Sequence, residues 1–152
     1  MTEQAPETYG FLAFMRVMER RGRGKPRIGK NATLREETVT VGQDPSLAFP
    51  ESDISEITLD GKRPQIRNNI LGFFGPQGAL PLNTTEEVKR WVDRGDRAFV
   101  SFTDLFATRF LQLFFRSWSD VRAITQFDHE TGDRFRLYLA AFGRENLFGT
   151  TE

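Results

Sequence analysis

A row of aromatic residues at intervals of four constrains this chain most: Phe102, Phe106, Phe110, Phe114 and Trp118. Residues four apart stack on successive turns of a helix, so the row makes one ridge that drifts slowly around the axis. It predicts a helix from about Asp96 to Arg122, with Leu105, Leu113 and Val121 extending the ridge. Asp104, Arg109, Arg116 and Asp120 interrupt it and argue against a membrane span. The ridge has two readings. It is the core of its own domain, or part of it packs against a helix of another chain. Composition sharpens the choice, because 152 residues include 15 Phe against two Tyr and two Trp. A chain of this length buries an ordinary core, and Phe is expected to dominate it.

The remaining pattern predicts one α+β domain: an N-terminal helix, short antiparallel strands with a hairpin, then a helical C-terminal half. Residues 1–21 hold the first helix, Thr8 to Arg20, with Thr8 as N-cap and Gly22 as its end. A basic loop fills 22–35 and a β region 36–72. There, Thr38 to Val41 form a strand, Gly42 to Pro45 turn, and Ile54 to Leu59 pairs with Gln65 to Leu71 across Asp60-Gly61. Residues 73–83 form an apolar loop punctuated by Gly and Pro, and 84–143 are helical. Asn83 or Thr84 caps a helix running to about Arg94, and a final helix from Asp133 to Phe142 sets Phe135, Leu139 and Phe142 on one side.

Charge excludes some functions. Lys plus Arg and Asp plus Glu both number 21, which argues against a dedicated nucleic-acid binder. The balance hides an asymmetry: residues 1–35 carry eight basic and three acidic side chains, the remainder thirteen and eighteen. Arg20, Arg21, Arg23, Lys25, Arg27 and Lys30 make the basic segment. It reads as a solvated loop or as a tether for an acidic partner; a nucleic-acid accessory domain using 20–30 is the alternative function. No cysteine is present, which removes disulfides, thiolate metal sites and cysteine nucleophiles. Glu3, Glu7 and Arg16 do not suit a signal peptide, so the expected location is the cytoplasm.

Catalysis has little to work with. The one histidine, His129, lies in Asp128-His129-Glu130-Thr131-Gly132-Asp133, which reads as a polar turn, since adjacent residues rarely point at one ion. A hydrolase using His129 as base lacks a nucleophile elbow. Gly22-Arg23-Gly24-Lys25 lacks the spacing of a phosphate loop. No catalytic, metal or cofactor residue is assigned, and the residues point to an interaction protein, not an enzyme.

Four blocks then carry a resemblance. Asn69-Ile70-Leu71-Gly72-Phe73-Phe74-Gly75-Pro76-Gln77-Gly78-Ala79-Leu80-Pro81-Leu82 resembles the F-G-L-x-G-P-x-G-P-L-P-L signature of TssG (ImpH/VasB), a type VI secretion baseplate family. Pro26-Arg27-Ile28-Gly29, the segment Val41 to Pro50, and the helix Phe102 to Trp118 resemble further blocks of that family in order. Ala107-Thr108, Phe115 and Ala79 depart from its usual residues. The likeness covers about Phe11 to Phe142 and corresponds to the N-terminal half of longer family chains.

The resemblance implies a structural wedge subunit with no catalysis and no cofactor. It implies partners: two copies of TssF, the sheath-initiating subunit TssE, the adaptor TssK, and, in the assembled baseplate, the VgrG spike and the membrane complex. The location implied is the cytoplasmic side of the bacterial inner membrane. Its protein-interface residues are expected in the loop, at Phe73, Phe74, Pro76, Leu80, Pro81 and Leu82, and on the ridge, at Phe102, Phe106, Phe110, Phe114 and Trp118. In this reading the loop residues fix the loop and part of the ridge meets TssF.

Overall fold

The computed structural model describes residues 10–22, 24–59, 63–128 and 134–147. The fold is α+β. Helix α1 spans Phe11–Arg21, strands β1, β2 and β3 span Thr40–Gly42, Ile54–Thr58 and Gln65–Asn68, and helices α2 and α3 span Leu82–Asp93 and Ala98–Asp120. Helices α4, Ala123–Phe127, and α5, Arg134–Leu147, follow. The chain divides into two compact units, residues 1–115 and 116–152, with the boundary inside α3.

In the first unit, α1 begins three residues later than expected, after Gly10, and the expected cap Thr8 lies outside the described residues. Its first amide is held from a distance: Phe11 N–H donates to Asp53 Oδ2 at 3.0 Å. A carboxylate there satisfies an orphan donor and suits the positive end of the helix dipole. Arg20 and Arg21 occupy the opposite end, and the Gly22 amide closes the last turn on the Met18 carbonyl. Phe11, Phe14, Met15 and Met18 are buried.

The sheet order is β1-β3-β2. Strands β2 and β3 are antiparallel, with Ile57 opposite Ile66 and an irregularity between Ile54 and Glu56. Asp60-Gly61, expected to turn this hairpin, lies outside the described residues. Strand β1 corrects the antiparallel expectation: it runs parallel to β3, with Val41 opposite Ile66. Two successive reversals, β1 to β2 and β2 to β3, restore the original direction, and apolar patterning marks a strand without marking its sense. Strand β3 stops before Leu71 because Asn68 Oδ1 accepts the amides of Ile70 and Leu71, both at 3.2 Å.

Helix α2 starts at Leu82 with Pro81 at the N-cap, ahead of the expected caps. Asn83 Oδ1 accepts the adjacent Thr84 amide, at 2.8 Å. Helix α3 turns Val100, Ala107, Leu111 and Phe115 inward together with Thr103, Thr108 and Gln112. Polar groups fasten this side to the sheet: Thr108 Oγ1 donates to the Val41 carbonyl, and Asp104 accepts from Arg67 of β3 and from the Gln43 amide. The ridge therefore does not form this unit's core; Phe102, Phe106, Phe110 and Phe114 point outward and are exposed. Nor does Phe dominate the core. Phe11, Phe14, Phe74 and Phe115 are buried, but Val39, Val41, Ile28, Ile54, Ile66 and Leu111 fill much of the rest. By length and composition α3 is long and apolar enough to cross a membrane, contrary to expectation. Its inner face is bonded to the sheet instead.

In the second unit, α4 was not anticipated. Gln126 stitches it to its neighbours: Nε2 donates to the Asp120 carbonyl at 2.6 Å and Oε1 accepts the Arg134 amide at 2.9 Å. Phe135, Leu139 and Phe142 of α5 are exposed, as are Leu137 and Tyr138.

Candidate functional site

The loop before α2 is folded on itself. Ala79 N–H donates to the Gly72 carbonyl at 3.1 Å, Leu80 N–H to Phe73 at 2.9 Å, and Gly78 N–H to Gly75 at 3.0 Å. The loop is thus closed by a tight turn at Gly75–Gly78 and by two bonds that each span seven residues, which is how an apolar, uncharged segment satisfies its backbone. Gly75 sits at φ +87°, and a Cβ there would lie 2.8 Å from the Ser46 carbonyl oxygen. Its amide donates to Thr85 Oγ1 of α2 at 3.1 Å.

One buried side chain from outside the loop sets its path. Gln43 Oε1 accepts the amides of Phe73 and Phe74 at 2.8 and 2.9 Å, and Nε2 donates to the Phe74 carbonyl at 2.9 Å. A Cβ on Gly72 would meet Gln43 Oε1 at 2.1 Å, so this approach requires glycine. Gln43 is in turn held by Asp104, which also carries Arg67. Arg67 and Arg97 both reach Asp44, the latter at 2.5 Å. Loop, sheet and α3 are thereby one bonded unit.

The expected interface residues take different places on this frame. Phe74 is 2% exposed and packs with Val88 and Val100, so it belongs to the core and offers no surface to a partner. Phe73 and Leu80 are half-buried against the same cluster. Pro76, Pro81 and Leu82 are exposed. Between loop and helix lies an apolar cleft of about 320 Å³, lined by Leu71, Phe73, Ala79, Ala107, Phe110 and Leu111. The Phe73 and Phe110 rings cross it with centroids 6.5 Å apart.

The cleft opens beside the outer face of α3, where Phe102, Leu105, Phe106, Phe110, Leu113 and Phe114 are each more than two-fifths exposed. Ring contacts extend this face toward α2: Phe106 to Phe102 at 5.2 Å, Phe102 to Phe99 at 6.3 Å, and Phe99 to Trp91 at 6.0 Å. The apolar exposure on this face is contiguous. In the second unit, Trp118 is half-buried, with the Arg122 guanidinium 5.5 Å over its ring.

The basic segment is partly engaged within the chain. Lys25 Nζ donates to the Glu37 carbonyl at 3.1 Å, and Arg27 and the Ile28 amide both donate to the buried carboxylate of Glu19. His129 lies outside the described residues. Among the described residues, no group of three or more His, Asp or Glu is placed to hold a metal ion.

Two residues of this site were not singled out as interface residues from sequence: Gln43, buried beneath the loop and legible only as part of a motif block, and Arg109, exposed on α3 and legible only as a break in the ridge. The family model described as "Type VI secretion, TssG" matches residues 5–147. No curated protein and no solved structure matches the chain.

Proposed function

The chain belongs to the TssG family of type VI secretion, whose members are structural components of the baseplate, and from that premise we propose that it is a wedge subunit working by protein–protein contact. In this reading it binds TssF, and through the wedge it neighbours TssE, TssK and the VgrG spike, at the cytoplasmic side of the inner membrane.

The observation that carries the proposal is the two-sided character of α3. Its inner side is bonded to the sheet through Asp104 and Thr108, while its outer side presents exposed aromatic rings. Interface cores are enriched in aromatic residues, which bring large area at low rotamer entropy. The ordered loop adds Pro76, Pro81 and Leu82 to the same frame. Nothing favours the nucleic-acid alternative over this reading, because Lys25 and Arg27 already bond within the chain.

Co-expression with the cognate TssF, followed by size-exclusion chromatography, tests the proposal. Co-elution of the two chains at a defined stoichiometry is the expected result. A chain that elutes alone beside soluble TssF would contradict it.

A further inference from the structure

Arg109 sits inside the apolar outer face of α3, three residues after Phe106 and four before Leu113. It is exposed and makes no ion pair among the described residues, although Arg67, Arg97 and Arg116 each hold a carboxylate. A guanidinium at the centre of a face that is to be covered will be desolvated, and that is costly unless a carboxylate meets it.

We infer that the outer face of α3 receives an apolar helix of a partner chain that carries one Asp or Glu placed against Arg109. This rests on the wedge reading and names the chemistry its partner must present at this face. The shape argues for a helix: the row from Phe102 to Phe114 is a ridge about 18 Å long that winds slowly about the axis, and such ridges pack into helix grooves. The charge argues for a foreign helix with an acid, not a second copy. The face is centred near residue 108, so an antiparallel pair of α3 helices would set the two Arg109 side chains only about 3 Å apart along the axis. A parallel pair would set them level. Either arrangement brings like charges together in an apolar interface, a juxtaposition that suppresses wrong partners. A lipid surface is disfavoured as well. Helices that lie in the bilayer interface keep basic residues on the polar side, whereas Arg109 is on the apolar one.

The test uses the full chain and cognate TssF. Arg109→Glu is expected to weaken TssF binding by about 30-fold or more, with the thermal midpoint of the isolated chain unchanged. Arg109→Gln is expected to fall between wild type and Arg109→Glu. Changing the Asp and Glu residues of TssF singly to Arg should restore Arg109→Glu binding at one position, on a helix. If Arg109→Glu binds TssF like wild type, or if no single reversal restores it, the inference is overturned while the wedge reading stands. If wild type does not bind TssF at all, the wedge reading falls first. A wild-type dimer in light scattering that Phe106→Asp dissociates, or binding to phosphatidylglycerol vesicles lost in the same variant, would assign the face to a second copy or to lipid and overturn the inference.

Discussion

Gln43 is hydrogen-bonded to Phe74 in both directions: its Oε1 accepts the Phe74 amide and its Nε2 donates to the Phe74 carbonyl. A carboxamide paired this way imitates a neighbouring strand and holds the loop as a sheet edge would. It places the Phe74 ring in the core with Val88 and leaves Pro76, Pro81 and Leu82 outside.

Gln43→Ala removes all three loop bonds and leaves the buried Phe74 amide without its acceptor. The expected loss of stability is about 3 kcal/mol, read from urea unfolding of the variant against wild type. Gln43→Glu retains the acceptor but buries a carboxylate with one oxygen against the Phe74 carbonyl, and is expected to lose at least as much.

Two glycines with left-handed backbones separate strain from crowding. A Cβ added to Gly95, at φ +91°, would meet nothing within 4 Å, whereas one added to Gly75, at φ +87°, would face the Ser46 carbonyl. Gly95→Ala should cost about 1 kcal/mol for the backbone alone. Gly75→Ala should cost clearly more, because a rigid carbonyl stands where the methyl would go. Parallel thermal melts of the two variants check the difference.

Asp104 joins Arg67 and the Gln43 amide while lying on α3, so it couples sheet, loop and helix. Asp104→Ala is expected to lower unfolding stability by about 2 kcal/mol. In a double-mutant cycle with Arg67→Met, the combined loss should be smaller than the sum of the two, since both remove one shared interaction.

Much of this frame was legible in the sequence. The step-of-four row located α3 to within two residues at each end, and the Gly/Pro punctuation located the loop. Which side of α3 faces inward was not legible, because both sides are apolar enough to be buried. The inner side is marked by modest residues, Thr103, Ala107, Thr108 and Gln112, whose role appears only when Val41 and Glu37 are beside them. The cap on α1 was hidden for a similar reason: Asp53 stands 42 residues from Phe11. Phe73 and Leu80, expected among the interface residues, are half-buried in the free chain, so Phe73→Asp and Leu80→Asp should lower its stability.

The central claim is that the outer side of α3 serves a partner and not the fold. Its most direct test is Phe106→Asp, a change at a residue 46% exposed in the free chain. Unfolding stability and affinity for cognate TssF are measured on the same preparation. Stability within about 0.5 kcal/mol of wild type, together with loss of the TssF complex, is the expected pair of results. Undiminished TssF binding, or unfolding of the variant in step with its loss of binding, would contradict the claim.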